Sequence, residues 1–438
     1  MIYLEGFSKE CCIRLTRIFI EVYGCSANVA DSEIIMGLLT KRGYNIVESF
    51  EDSDASIILT CTVKTPTEVK ILKRLRELNR LGSPLIVAGC MPKVETELVR
   101  DAAPKASLMG PDSLLKTVQI LEETLKGGRV EDIDGEPIDK VLQYRIRRNP
   151  VVHIAPISTG CLGCCSYCIV KYARGRLHSF PIQEIIADAK KAIEDGCKEI
   201  WVTAEDTASY NWKGVKLPEV LRNLCNIEGR FYIRVGMMTP NHAKKILREL
   251  IEAYGSEKIF KFLHLPVQSG NDEILEKMRR DYTVDDFREI VYRFRSEVPD
   301  LSLSTDIICG FPGETEAQFR DSLRLIDEVK PDVLNISRFW PRPGTEAEKM
   351  GGRLHGRETK KRSREMSKLW RRLSSEKGLK WIGWTGEVLI DEMGKRGEAI
   401  GRNNSYKTIL LEESSALGDF VKVKVTGVGV GYLKAVKI

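Results

Sequence analysis

The 438-residue chain predicts an α/β protein in three parts: an N-terminal parallel α/β domain, a central partial (β/α)6 barrel and a small antiparallel β-barrel at the C-terminus. Three observations predict it. Apolar strands alternate with helical patterns before residue 126, and the alternation resumes from Val151 to about Trp370. Short strands broken by glycines then run to the end. The expected domains are residues 16–128, 147–372 and 376–438.

In the first domain the strands Ile18–Cys25, Ala55–Cys61 and Leu85–Cys90 each end at a cysteine. Helical patterns follow the first two, at Asn28–Arg42 and Thr67–Leu81. Open parallel sheets bind ligands outside the carboxyl ends of their strands, so Cys25, Cys61 and Cys90 are expected to meet at one rim. Three cysteines at equivalent strand ends point to an iron–sulfur site more than to three separately buried thiols. From Lys126 to Arg148 the sequence turns polar, with Gly127, Gly128 and Gly135, and reads as a linker.

The barrel strands are expected at Val151–Ile157, Glu199–Thr203, Tyr232–Gly236, Phe262–Pro266, Ser302–Ile308 and Val333–Phe339. Helices such as Ile182–Asp195, Asn241–Tyr254, Asp285–Arg295 and Glu316–Val329 lie between them. Barrels of this kind carry their sites at the carboxyl mouths of the strands. A basic and helical segment, Arg353–Lys380, leads to the last domain and would attract phosphate backbones. The terminal strands are Gly386–Met393, Ala399–Arg402, Ser405–Leu411, Phe420–Val428 and Tyr432–Val436.

Composition agrees with a soluble chain: 42% apolar, 30% charged and a net charge of +6. No apolar run nears the ~18 residues of a membrane span. Met1–Arg14 lacks the apolar core of a signal peptide, and the chain ends in a strand rather than an anchor. The expectation is a cytoplasmic protein without membrane contact, whose cysteines are metal ligands or buried hydrophobes.

The loop after the first barrel strand carries the chemistry. Cys161, Cys165 and Cys168 stand with three and then two residues between them. Three close thiolates can hold three irons of a cubic [4Fe-4S] cluster and leave the fourth iron open. Structural zinc wants four ligands, usually in separated pairs. A disulfide knot and a plain electron-transfer cluster are the other readings of the residues. The spacing, with Tyr167 just before the last cysteine, resembles the radical S-adenosylmethionine (SAM) enzymes. The resemblance implies that the open iron chelates SAM, that an electron cleaves SAM to a 5′-deoxyadenosyl radical, and that Tyr167 packs near the adenine. Cys164 reads as a spectator.

Cys25, Cys61 and Cys90 upstream, the central trio and a terminal small barrel together resemble the methylthiotransferases, over nearly the whole chain. Supporting strings include Tyr23–Asn28, Thr60–Lys64, Ala88–Pro92, Leu265–Gly270 and Gly310–Thr315. The last domain resembles the family's RNA-binding TRAM barrel. Cys25–Asn28, Gly236–Pro240 and Phe339–Thr345 are most similar to the archaeal and eukaryotic branch, which acts on N6-threonylcarbamoyladenosine beside the tRNA anticodon. The resemblance implies two [4Fe-4S] clusters, two roles for SAM, an external electron donor and a sulfur source. An inert C–H at carbon 2 of a purine agrees with radical chemistry.

Further site residues follow. Thr203, Glu205 and Asp206 end the second barrel strand, where relatives touch the SAM amino group or substrate; the family pattern has Gln at Glu205. Gln268 and Ser269 are placed at SAM ribose contacts, with helix-start chemistry as the alternative. Asp306 is expected to face the mouth, and Arg234 to reach a SAM carboxylate or a buried ion pair. Lys171, Arg174 and Arg176, with Arg371, Arg372, Lys422 and Lys424, are the expected contacts to a tRNA anticodon stem-loop. His264, between Leu263 and Leu265, reads as a satisfied core histidine. Rival readings are action on isopentenyladenosine tRNA or on a ribosomal protein, and a non-enzymatic iron–sulfur redox sensor. The slightly basic stretch Lys380–Ile438 favours RNA over protein.

Overall fold

The structure, a computed structural model, describes residues 16–438. Cys11 and Cys12 lie outside the described residues.

The first domain is one parallel sheet. Its strand order is Asn45–Val47, Arg17–Val22, Ala55–Thr60, Leu85–Gly89, Ser107–Met109, Glu131–Asp132. Ala55–Thr60 is buried along its whole length, as a central parallel strand covered on both faces must be. The strands at Asn45–Val47, Ser107–Met109 and Glu131–Asp132 are two or three residues long, too short for a periodic signal.

The helix Ser26–Lys41 follows the first strand and is enclosed on nearly all sides. Asn28, Asp31, Ser32 and Glu33 are all buried on it, so it has no solvent face to set against an apolar one. Residues 126–148 are more than a linker. After the edge strand Glu131–Asp132 they run as a strap over this helix. Lys140 bonds Asp31 at 2.8 Å, Arg145 bonds Asp188 of the barrel at 3.0 Å, and Ile146 N–H donates to Glu33. Gly37 is required here, because a Cβ would lie 2.2 Å from the Tyr144 carbonyl oxygen.

The central domain is an open barrel of two three-stranded parallel sheets. One holds Val152–Pro156, Glu199–Thr203 and Tyr232–Val235; the other holds Phe262–His264, Ser302–Cys309 and Val333–Arg338. A single bridge, Ile233 to Ile259, joins them. Alternate residues such as Ile200, Val202, Ile233 and Val235 pack in the large core with the helices. The first domain closes over the carboxyl mouth.

The terminal domain is a closed five-stranded barrel around Val388, Ile390, Ile409, Leu411, Val423, Val425 and Leu433. It docks at the opposite, amino end of the central strands. Asn149 donates to the Asp391 carbonyl at 2.7 Å, Lys261 N–H to Asn404 at 2.7 Å, and the Tyr406 ring packs at a tilt against Phe260 and Phe262. The helix Gly356–Leu379 leads there. Its basic residues divide: Arg362 is buried on Glu314 at 2.7 Å and Lys377 bonds Asp332 at 2.6 Å, while Arg357, Lys360, Arg364 and Arg371 are exposed. Among the described residues no helix is long and apolar enough to cross a membrane.

At this docking face the Glu199 and Asp391 carboxyls lie together, buried, near Arg402. Burial and mutual repulsion hold Glu199 far above the usual carboxylate range. Glu199 therefore keeps a proton in the folded protein that the unfolded chain would release. Stability falls as pH rises from the ordinary carboxylate range towards the raised value. Glu199→Gln removes that ionisation, and the expected outcome is a smaller loss of Tm than wild type between pH 5.5 and pH 8, read by scanning fluorimetry.

Candidate active site

The first trio sits on the loop after Val152–Pro156, at the barrel mouth. The loop is pinned from below, since Ser166 Oγ donates to the Lys277 carbonyl at 2.8 Å and Ser166 N–H to Met278 at 3.0 Å. Cys161 and Cys165 turn their sulfurs to one side, each within 3.3 to 3.7 Å of the position a Gly163 Cβ would take. Cys161 Sγ accepts the Gly163 N–H at 3.2 Å, and Cys168 Sγ accepts the N–H groups of Val170 and Lys171. Burial pushes the Cys161 thiol up to about 12 and raises Cys168.

The second trio comes together from three strand ends. Gly24 lies against Cys61: a Cβ there would stand 2.7 Å from the Cys61 Cβ and 3.1 Å from its sulfur. Cys90 feels the charges of both Cys25 and Cys61, and burial pushes it up to about 11. Cys61 accepts the Val63 N–H, and burial raises it too.

Among the described residues no three His, Cys, Asp or Glu side chains converge tightly enough to hold a single metal ion. Two trios of cysteines, with backbone N–H groups on the sulfurs of Cys161, Cys168 and Cys61, suit cubic clusters, where each cysteine binds a different iron. Release of the thiol protons would accompany loading.

Arg174 joins the two trios. It ends the helix Val170–Arg174 that follows Cys168, and this helix packs on Cys90–Val94. The buried guanidinium donates to Asp31 at 2.9 Å and to Asn28 at 2.7 Å, and it hydrogen-bonds Cys90. Asp31 is held below the usual carboxylate range: burial opposes this, but Lys140 and Arg174 outweigh it. Arg174 is thus a buried strut between domains and is removed from the expected RNA contacts, because no phosphate can reach it.

A cavity of about 290 Å³ opens between the domains. It is walled by Val63 and Lys64, by Tyr167–Val170, by Gln268 and Asp306, and by Asn335, Ser337–Trp340 and Arg342. Tyr167 stands edge-on to Phe311, and its hydroxyl accepts from Arg280 at 2.8 Å. Gln268 holds φ at +71°, a left-handed strain that its bridge to Ile307 maintains at the cavity wall. Asp306 bonds His264 at 3.2 Å and Asn335 at 2.7 Å. Burial works to raise its carboxyl, but His264, Asn335 and Lys64 hold it below the usual range.

Several expected contacts lie elsewhere. Asp206 is fully enclosed and accepts from Ala208 and Thr239 N–H, from the Thr239 hydroxyl at 2.5 Å and from His242 at 2.6 Å. It caps a turn and has no free oxygen for substrate. Thr203 bonds Ser26 at 3.0 Å, and Glu205 faces Arg174 at 4.0 Å, so both look to the N-terminal domain. Ser269 is buried and accepts the Asn271 N–H in the turn that leads to the helix Asp272–Lys277, which Asn271 caps. Arg234 points into the barrel, but half-way down it, between Trp201, Phe262 and Tyr406 of the docked terminal barrel. Tyr406 meets it from the amino end of the barrel, away from the cluster loop, and the three rings hold it there.

His264, Arg280, Asn335 and Arg338 are site residues that the sequence reading missed. Arg280 lies 113 residues from the tyrosine it holds, with no periodic signal. His264 had one: it is the inward residue at the end of a barrel strand. Of the remaining basic residues, Arg176, Arg371, Lys422 and Lys424 are exposed, Lys171 is half-buried over Tyr172, and Arg372 is paired with Asp327 and Glu376.

An open barrel bearing a three-cysteine loop at its mouth defines a radical SAM protein, here with a second cysteine site on a separate α/β domain. Residues 155–326 match the Radical SAM superfamily, residues 17–110 the Uncharacterized protein family UPF0004, and residues 381–438 the TRAM domain. A Pyrococcus horikoshii protein named "Probable threonylcarbamoyladenosine tRNA methylthiotransferase" is 44% identical over 423 residues, 96% of this chain and 99% of that one. A Homo sapiens protein named "Threonylcarbamoyladenosine tRNA methylthiotransferase" is 34% identical over 435 residues, 96% of this chain and 74% of its own. The chain belongs to this family of radical SAM methylthiotransferases. In fold it is similar to the radical SAM methyltransferase TsrM of Kitasatospora setae, at TM-score 0.56 and 15% identity over 76% of this chain and 74% of that one.

Gly24→Val places atoms where Cys61 stands and demands a backbone at φ +114° that a branched residue resists. The reconstituted variant should fall from roughly eight irons per chain to roughly four, by colorimetric iron assay. Cys164→Ser should retain the full count, because Cys164 is exposed and turned away from both trios.

Proposed function

We propose that this chain is a tRNA methylthiotransferase that converts N6-threonylcarbamoyladenosine beside the anticodon to its 2-methylthio derivative. The observation that carries the reading is the second cysteine trio, brought over the mouth of a radical SAM barrel and separated from the first by one short helix and one cavity. A redox sensor needs no such pairing. Family membership over almost the full chain supports the substrate.

When bound, two [4Fe-4S] clusters and SAM supply the radical that takes hydrogen from carbon 2 and the methylthio group that replaces it. The protein's part is placement. Cys161, Cys165 and Cys168 would hold one cluster on a loop tied down at Ser166, and Cys25, Cys61 and Cys90 would hold the other at the sheet rim. Tyr167, fixed by Arg280, and the strained Gln268 wall the space where SAM and adenine meet. Closure by the N-terminal domain keeps water from a reactive intermediate. Arg176, Arg371, Lys422 and Lys424 are exposed cations for phosphates of the stem-loop. An external electron donor and a sulfur source complete the reaction, which the reading sets in the cytoplasm with its tRNA.

Mass spectrometry of tRNA nucleosides tests it. Wild type should yield 2-methylthio-N6-threonylcarbamoyladenosine. Cys165→Ala should form no 5′-deoxyadenosine after reduction. Cys90→Ala should still form 5′-deoxyadenosine but add no methylthio group. Product from Cys90→Ala would reject the two-site reading.

A further inference from the structure

We propose that Arg338, seated on Trp340, binds the carboxylate of the threonylcarbamoyl group in this cavity, with Lys64 supplying a second positive charge at the rim. The inference rests on the proposed substrate and names the residues that select it.

The substrate's side chain on N6 ends in a threonine carboxylate, ionised at neutral pH. An isopentenyl chain at the same place is wholly apolar. Burying a carboxylate without a partner is costly, so a site for this substrate needs a cation that nothing else has claimed. The reacting purine must lie near both trios. The cavity meets that requirement, since Cys168 lines it and so do Val63 and Lys64, two and three residues after Cys61.

The charged residues of the cavity wall are Lys64, Asp306, Arg338 and Arg342. Arg342 is answered by Glu68 and Glu95 of the N-terminal domain. Asp306 is answered by His264 and Asn335. Among the described residues Arg338 makes no ion pair, and Lys64 acts on Asp306 through its charge without an ion-pair contact. The Arg338 guanidinium lies over the Trp340 ring at 4.6 Å. A guanidinium held over a ring keeps N–H groups for a two-pronged bond to a planar anion. The aromatic support also reduces the freedom the side chain loses on binding. The segments Thr60–Lys64 and Phe339–Thr345, remote in sequence and both singled out by their residues, meet across this one cavity.

Two other anions share this chemistry, the SAM carboxylate and an RNA phosphate, and the experiment separates them. Methylthiolation is measured with tRNA bearing N6-threonylcarbamoyladenosine and with the same tRNA carrying the methyl ester. Arg338→Gln should raise KM for the acid tRNA roughly ten- to a hundredfold, the loss expected for a hydrogen bond to a charged group. Wild type should disfavour the ester by a similar factor, and Arg338→Gln should no longer distinguish acid from ester. Arg338→Lys, which keeps the charge without the fork, should recover part of the loss, and Lys64→Gln should show a smaller rise. Iron content and circular dichroism like those of wild type establish that the variants are folded. An equal loss by Arg338→Gln on acid and ester would assign a phosphate and overturn the proposal. So would a raised KM for SAM, or no change at all. If wild type fails to methylthiolate the acid tRNA, the proposed function itself falls, an outcome distinct from all the others.

Discussion

The architecture depends on a buried ionic strut between Arg174 of the barrel and Asp31 and Asn28 of the N-terminal domain, with Lys140 of the strap on the same carboxylate. Buried ion pairs give little net stability when intact, yet removing one partner strands a charge at a cost of roughly 3–5 kcal/mol. Such a contact specifies geometry more than it stabilises. It allows one docking of the two domains, and that docking brings Cys90 beside the helix that follows Cys168. The enclosed helix Ser26–Lys41 is polar where a helix is usually apolar because it is part of this joint.

The two ends of the central barrel have separate duties. At the carboxyl end, strands deliver Gln268, Asp306, Asn335 and Arg338 to the cavity. At the amino end, the terminal barrel inserts Tyr406 beneath Arg234 and closes the bottom with the paired carboxyls of Glu199 and Asp391. The TRAM domain is thus fixed to the central barrel by packing and charge, rather than tethered by a flexible linker. Cations on the helix Gly356–Leu379 and on the strand Phe420–Gly429 stay exposed on its outer face.

Inward alternation along a strand is a necessary condition for a site residue and an insufficient one. Arg234 and Asp306 both point inward, but depth decides between them. Asp306 sits near the mouth, and Arg234 lies deeper, where Tyr406 meets it from the amino end. Asp206 ends a strand at the mouth, and local hydrogen bonds to Thr239 and His242 use all of its oxygens. A carboxylate so satisfied has nothing left to offer a ligand.

The sequence by itself determined what is local and periodic: the parallel alternation, the six barrel strands, the close spacing of Cys161, Cys165 and Cys168, and the glycine-broken strands of the last barrel. It also determined that Cys25, Cys61 and Cys90 end successive strands, because a parallel sheet sends all carboxyl ends to one edge. Only the tertiary structure decided the joint and the cavity. Lys64 and Arg338, which wall one cavity, and Arg280 and Tyr167, which share a hydrogen bond, are separated by a hundred residues or more, and no periodicity records a meeting of residues so far apart in the chain. The same holds for Arg174, which stands in sequence between the exposed Tyr172 and Arg176 but in space beside Asp31 and Cys90. Burial decides whether a basic side chain meets a phosphate or a carboxylate, and burial belongs to the folded whole.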